Sequence, residues 1–208
     1  MDATSPVGQE ATFRAVLLLG FVVLVGIVST HRVRAHGAGE PIDRLQEGIA
    51  MLVALRVAGL ALWGAVIAYL IQPRWMAWSA VALPTAARWT GVALLAVVAV
   101  LLLWTLRSLG KNLTDTVVTR RAHTLVSHGP YRWVRHPFYG CIALMILAIA
   151  VTMANLFVLA AGVVVLLLLV IRTGTEEEKL VERFGDDYRD YMRRTPRFVP
   201  WRPPGRSA

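Results

Sequence analysis

The chain has 208 residues, 56% of them hydrophobic and only 17% charged, with a formal net charge of +9. A charged fraction below the roughly 25% of soluble domains, with the apolar residues gathered into long runs, excludes a disordered chain and points to a membrane protein. A single cysteine, Cys141, excludes an internal disulfide framework and a cysteine-based zinc site, and no metal ligands are assigned.

In chain order, the first apolar stretch is residues 13–30. Asp2 and Glu10 precede it and Arg32 and Arg34 follow it, a polarity that fits a retained anchor with its N-terminus outside rather than a cleaved signal peptide. The stretches 49–71 and 89–106 are long enough to span, since a helical crossing takes about 20 residues. Arg56 lies within the second of the three, where snorkelling to the interface competes with contact to an anionic substrate. Between the second and third stretches, residues 75–83 are too short to cross and carry Trp75 and Trp78 as interfacial anchors, ending at Pro84.

From Phe138 to Ile171 only Asn155 interrupts the apolar run. One helix of that length would measure about 51 Å, against the about 30 Å of a bilayer core, so the run reads as a hairpin turning near Asn155, with spans at 138–154 and 156–171. Lysine and arginine placement agrees. Five spans with the N-terminus outside put eighteen of them inside and three outside, whereas merging the last two spans divides them twelve to nine. The expected fold is therefore an all-α integral membrane protein of about five transmembrane helices, multi-pass, with its C-terminus cytoplasmic. The same placement accounts for the positive charge and removes the main support for a nucleic-acid partner.

Polar chemistry is concentrated in two segments, 107–137 and 172–200, which the hairpin brings to the same end. Gly129-Pro130-Tyr131 marks a turn. In Arg135-His136-Pro137-Phe138-Tyr139 the proline falls in the first turn of the next helix, whose positive end then lies beside His136 and Tyr139; an ordinary basic juxtamembrane turn is the plainer alternative. In Arg172-Thr173-Gly174-Thr175-Glu176-Glu177-Glu178, Gly174 and a Thr175/Glu178 capping box predict that the span ends or bends and a new helix starts. Leu180, Phe184, Tyr188 and Tyr191 then form one stripe of an amphipathic helix expected along the membrane surface. The glutamates either pair with neighbouring arginines or serve a ligand. His123 and His128, five apart and without cysteine partners, make a poor metal site.

His123-Thr124-Leu125-Val126, Gly129-Pro130-Tyr131, the Arg135–Tyr139 box, Arg172 with Glu176-Glu177, and Phe184-Gly185-Asp186-Asp187-Tyr188-Arg189-Asp190-Tyr191 together resemble the isoprenylcysteine carboxyl methyltransferase family and its prokaryotic membrane relatives. The likeness runs from about residue 109 to 200. It divides the chain into membrane helices at 1–108 (three spans), a methyltransferase-like cofactor region at 109–200 including the last hairpin, and a tail at 201–208. It implies S-adenosylmethionine as cofactor, lined by His123, Thr124, Leu125, Val126, Tyr131, His136, Pro137, Phe138 and Tyr139. Glu176 would bind the cofactor's polar groups and Arg172 the substrate carboxylate, these two being the residues assigned to catalysis. Thr116 and Thr119 stand where eukaryotic members carry a glutamine contact, so none is assigned there.

The implied reaction is methyl transfer to a lipophilic or lipidated substrate at the cytoplasmic face, with membrane lipids as surroundings. A carboxylate acceptor is already ionised at neutral pH and needs no base, and the sequence offers no evident dyad for one. A thiol or amine would need deprotonation, with His136 or Glu176 helping. Two alternatives remain from the residues themselves: an NADPH-dependent membrane reductase of the steroid-reductase type, which shares the RHPxY box, and a non-enzymatic membrane binding protein.

Overall fold

The computed structural model describes residues 6–36, 49–110 and 125–200. The described residues form six α-helices: α1 Pro6–His36, α2 Ile49–Ile71, α3 Thr85–Leu109, α4 Pro137–Met153, α5 Leu156–Phe184 and α6 Asp186–Arg194. Two short 3₁₀ helices, Pro73–Ser79 and Gly129–Arg132, lie between them. Four helices, α1, α2, α3 and α5, are long and apolar enough to cross a membrane. α4 is equally apolar but has 17 residues, about 25 Å of helix, at the lower limit for a crossing.

The core runs along the bundle axis through Leu17, Leu62, Val66, Val98, Leu102, Ile146 and Val158. Leu60, Val100 and Leu167 point outward and are exposed on the surface a bilayer would cover. α3 and α4 approach closely because Gly91 has no side chain: a Cβ there would sit 2.5 Å from Thr152 Oγ1 and 2.8 Å from the Ala148 carbonyl. Small residues at helix crossings are the usual route to tight packing where lipid removes the hydrophobic drive between helices.

The hairpin turns where the sequence predicts. Ala154 adopts a left-handed conformation (φ 50°), and Asn155 Oδ1 accepts the Val158 N–H at 3.1 Å, capping α5. Asn155 Nδ2 donates to the Met76 carbonyl (3.0 Å) and Ser79 Oγ (2.8 Å), while the Val81 N–H donates to the Ala154 carbonyl at 2.8 Å. These bonds pin the Trp75/Trp78 segment across the hairpin tip, with both indoles exposed.

At this same end Arg88, on α3, ties three other helices to its own. Its Nη1 donates to Glu10 Oε2 and its Nε to the Thr152 carbonyl, both at 2.8 Å, and its Nη2 to Tyr69 Oη at 2.9 Å; Tyr69 in turn donates to Glu10. The guanidinium lies 4.0 Å from the Phe13 ring centroid.

Two expectations fail at the opposite end. α5 does not stop or bend at Gly174 but runs unbroken from Leu156 to Phe184, so the Thr175/Glu178 capping box does not form. Gly174 is only a modest propensity cost, and the stripe Leu169, Thr173, Glu177 stays buried across it, so packing holds the helix together. The break falls instead at Gly185, whose φ of 57° and ψ of −126° suit glycine alone. The stripe from Leu180 to Tyr191 is therefore divided between two helices. The amphipathic α6 buries Tyr188 and Tyr191 against protein rather than presenting them to the membrane surface.

Candidate active site

The site begins at the turn before α4. Pro137 occupies the first helical position, where its missing N–H costs nothing, and His136 is the cap residue without a side-chain capping bond. The backbone N–H groups of Arg135 and His136 donate to the carbonyls of Pro196 (2.9 Å) and Arg197 (3.0 Å). The segment after α6 thereby lies alongside the turn as a strap.

Glu177, on α5 and 3% exposed, is the hub. Arg135 Nε donates to its Oε1 at 2.8 Å, Arg197 Nε at 3.2 Å, and His136 Nε2 stands 3.1 Å from the same oxygen. Arg197 Nη2 closes a second, shorter contact on Oε2. Arg135 uses its other arm on the last turn of α6 and the strap, donating from Nη1 to the Met192 carbonyl (3.1 Å) and the Thr195 carbonyl (2.6 Å). Burial alone would raise the Glu177 carboxyl, but hydrogen bonds from His136, Arg197 and Arg135 outweigh it and hold the group well below the usual carboxylate range. Glu177 lies beyond the apolar part of α5, which ends before Arg172.

A second carboxylate sits one residue away with a different environment. Glu176 is half-buried, and its Oε2 accepts the Tyr139 hydroxyl at 2.8 Å. Tyr139 stacks on His136, ring centroids 5.5 Å apart and planes 9° from parallel, and Phe198 of the strap covers another side of the imidazole at 5.7 Å. Tyr191 Oη donates to the Tyr131 carbonyl at 2.6 Å, joining α6 to the Gly129–Arg132 turn. Burial pushes the phenols of Tyr131, Tyr188 and Tyr191 above their ordinary range, so all three act as neutral groups.

Within the bundle, Phe138 lines an apolar cavity of about 450 Å³ between α1, α2, α3 and α4, with Trp63, Leu102, Cys141 and Met145 among its walls. Phe138, next to Tyr139 in sequence, is the link between the polar end and this apolar chamber.

Residues 89–182 match the isoprenylcysteine carboxyl methyltransferase (ICMT) family. Over that stretch, a little under half of its length, the chain is similar to the family. The match takes in α3 from Trp89 onward, the Arg135–Tyr139 turn, the hairpin and both glutamates. Among individual proteins, the chain is 38% identical over 84 residues to the cobalt-zinc-cadmium resistance protein CzcN of Cupriavidus metallidurans, covering 39% of this chain and 38% of that one. It is 35% identical over 98 residues to the protein-S-isoprenylcysteine O-methyltransferase of Mus musculus (44% and 34%). It is 35% identical over 72 residues to methanethiol S-methyltransferase 1 of Bradyrhizobium diazoefficiens (35% and 25%). The chain therefore spans well under half the length of these curated relatives.

Of the ICMT-type residues read from the sequence, His123 and Thr124 lie outside the described residues. Leu125 and Val126 are half-buried just before the Gly129–Arg132 turn. His136, Tyr139 and Glu176 come together, and Pro137 and Tyr131 are buried beside them. Phe138 faces the apolar cavity. Arg172 and Glu176 lie one turn apart on the same unbroken helix. Sequence reasoning assigns no site role to Glu177, Arg135, Arg197 or Phe198. One signal for Glu177 exists: Leu169, Thr173 and Glu177 recur at four-residue spacing, so Glu177 continues the buried stripe, where a charge must be paired. His136 and Glu177, 41 residues apart, are paired at 3.1 Å, a contact that no sequence spacing reveals.

Proposed function

We propose that the protein transfers a methyl group from S-adenosylmethionine to a lipophilic substrate at the cytoplasmic face of the membrane, with a carboxylate as acceptor. The observation that carries this reading is the pairing of Tyr139 with Glu176 beside the buried His136–Glu177 pair, within the stretch similar to the ICMT family. The groups present suit the cofactor. Glu176 keeps an oxygen for a hydroxyl or ammonium donor, and the stacked His136 and Tyr139 rings offer an aromatic wall. When bound, the cofactor supplies an electrophilic methyl on a sulfonium.

The chain's own residues then have simple tasks. Glu176 orients the cofactor, His136, Tyr139 and Leu125 to Val126 wall it in, and the apolar cavity holds the substrate's lipophilic part. Arg172, one turn from Glu176, grips the carboxylate with its planar fork. A cation and an anion become two neutral products, so a water-poor pocket favours the reaction, and alignment supplies the rest. The names of two relatives specify O- and S-methyl transfer, which supports methyl transfer while leaving the acceptor to the site itself. The cytoplasmic assignment is supported by the arginine and lysine placement.

Calorimetry on the purified full chain in detergent tests the reading. S-adenosylhomocysteine should bind with micromolar to sub-millimolar affinity, and a folded protein that shows no binding at millimolar concentration would sink it. Binding of NADPH instead would favour a reductase.

A further inference from the structure

The hairpin-tip end of the bundle encloses a second cavity, of about 260 Å³, with Glu10, Tyr69, Arg74, Met76, Arg88 and Asn155 among its walls. α1, α2, α3, the Pro73–Ser79 helix and the hairpin tip all contribute to it. Among the described residues, three basic side chains stand at this end, and two are spent within the protein. Arg14 donates from Nε and Nη2 to the Leu70 and Ile71 carbonyls at the end of α2, at 3.0 and 2.9 Å. Arg88 is held by Glu10, Tyr69 and the Thr152 carbonyl. Arg74 is the third. Its side chain is exposed and makes no hydrogen bond or ion pair with any described residue.

Charge in the lining decides what the cavity takes. Glu10 is the one carboxylate among the described lining residues, and Arg88 donates to both its oxygens, at 2.8 and 3.4 Å. That pair cancels, so Arg74 leaves the cavity with a single positive charge. An anion is favoured, whereas a choline or ammonium group finds no carboxylate left unspent. Trp75 and Trp78 fix the level of the cavity in a bilayer: both are exposed on the same short helix as Arg74, and indoles settle among lipid head groups. Met76 and Met153 make part of the wall apolar, which suits the glycerol and first methylenes beneath a phosphate better than a hydrated free ion.

We infer that this cavity holds the head group of an anionic phospholipid, its phosphate on the Arg74 guanidinium and its tails along the exposed apolar surface of the bundle. A guanidinium grips phosphate through paired N–H bonds, and basic recesses between membrane helices are where such head groups lodge. Because the lining comes from three helices, the short Trp-bearing helix and the hairpin tip, a lipid bound there stabilises the folded bundle by mass action. Nothing in this site depends on methyl transfer.

Thermal unfolding of the full chain in a neutral detergent, with lipid added, tests the site. Saturating phosphatidylglycerol should raise the melting temperature by roughly 5 °C, and phosphatidylcholine with the same tails by less than half as much. Arg74→Gln should abolish the difference between the two lipids and weaken phosphatidylglycerol binding, counted by native mass spectrometry, roughly tenfold or more. Arg74→Lys, a point charge that still binds phosphate, should keep most of the effect. Arg107→Gln, which removes an exposed arginine from the last turn of α3, should leave the lipid difference intact. Equal rises with both lipids, or equal losses in Arg74→Gln and Arg107→Gln, would reduce the effect to general surface charge and overturn the inference. A rise produced as well by glycerol 3-phosphate would make the site one for a soluble phosphate ester and overturn the lipid assignment. A fall in the melting temperature of Arg74→Gln in lipid-free detergent, as large as its loss with phosphatidylglycerol, would show Arg74 spent on the chain itself and equally overturn it.

Discussion

The bundle carries a carboxylate–guanidinium cluster at each end, and the two are built differently. At the hairpin-tip end, Arg88, Glu10 and Tyr69 come from three helices and spend their bonds on one another and on the Thr152 carbonyl. At the other end, Glu177 gathers Arg135, Arg197 and His136 from one turn and one strap, and one residue away Glu176 accepts the Tyr139 hydroxyl on one oxygen. The first cluster closes on itself and acts as a fastener. The second orients groups that face outward from it. A buried ion pair alone does not mark a site; the methyl-transfer proposal rests on the second carboxylate, Glu176, beside one of them.

Removing the hubs should separate these roles. Glu177→Ala leaves the Arg135 charge buried without its carboxylate, and the loss of one partner of a buried pair costs about 3–5 kcal/mol, so thermal unfolding in detergent should shift far down and cofactor binding should vanish. Arg88→Ala removes charge-assisted bonds worth about 1.5–3 kcal/mol and should lower the melting temperature while the folded fraction binds S-adenosylhomocysteine as before. Cofactor affinity lost with Arg88 would erase the distinction.

Glu176→Gln should weaken cofactor binding roughly tenfold to a hundredfold, the equivalent of about 1.5–3 kcal/mol, with little change in melting temperature. Arg172→Lys keeps its charge but loses the fork, so turnover on a carboxylate should fall while cofactor affinity holds. Equal affinity losses in both would refute the assignment of Arg172 to substrate.

Acid should act on the Glu177 end. Its folded-state carboxyl titrates below the ordinary value of 4.5, so the stabilisation is complete above that value and drains away as pH falls below it. Between about pH 5 and about pH 3 the melting temperature of the wild type should drop more than that of Glu177→Gln. The smallest effect is expected at the hairpin tip. Asn155→Ala removes a helix cap, about 0.5–2 kcal/mol, and should leave cofactor affinity untouched.

Membrane class, the hairpin at Asn155 and the proline-led start of α4 were legible because each depends on a short stretch: hydropathy over twenty residues, or one turn residue. The Gly174 break was misread because glycine's propensity cost of about 1 kcal/mol is local, whereas Thr173 and Glu177 on either side are held by contacts from elsewhere in the chain. The Glu177 hub was missed for the same reason. Its partners lie 41, 42 and 20 residues away, and no spacing rule connects them. His136, Tyr139 and Glu176 were found through the family resemblance rather than through any pattern that residue spacing alone provides.

The strap has a consequence for how the protein is made. Chains emerge from the ribosome N-terminus first at about 5–20 residues per second, and Arg197 follows the apolar part of α5 by some 25 residues of sequence. All the spans can therefore be in the bilayer while Glu177 still lacks Arg197 and His136 still lacks the backbone and ring of the strap. During that interval the nascent protein is a membrane-embedded bundle without a finished pocket, and the pocket closes only when translation has passed Phe198.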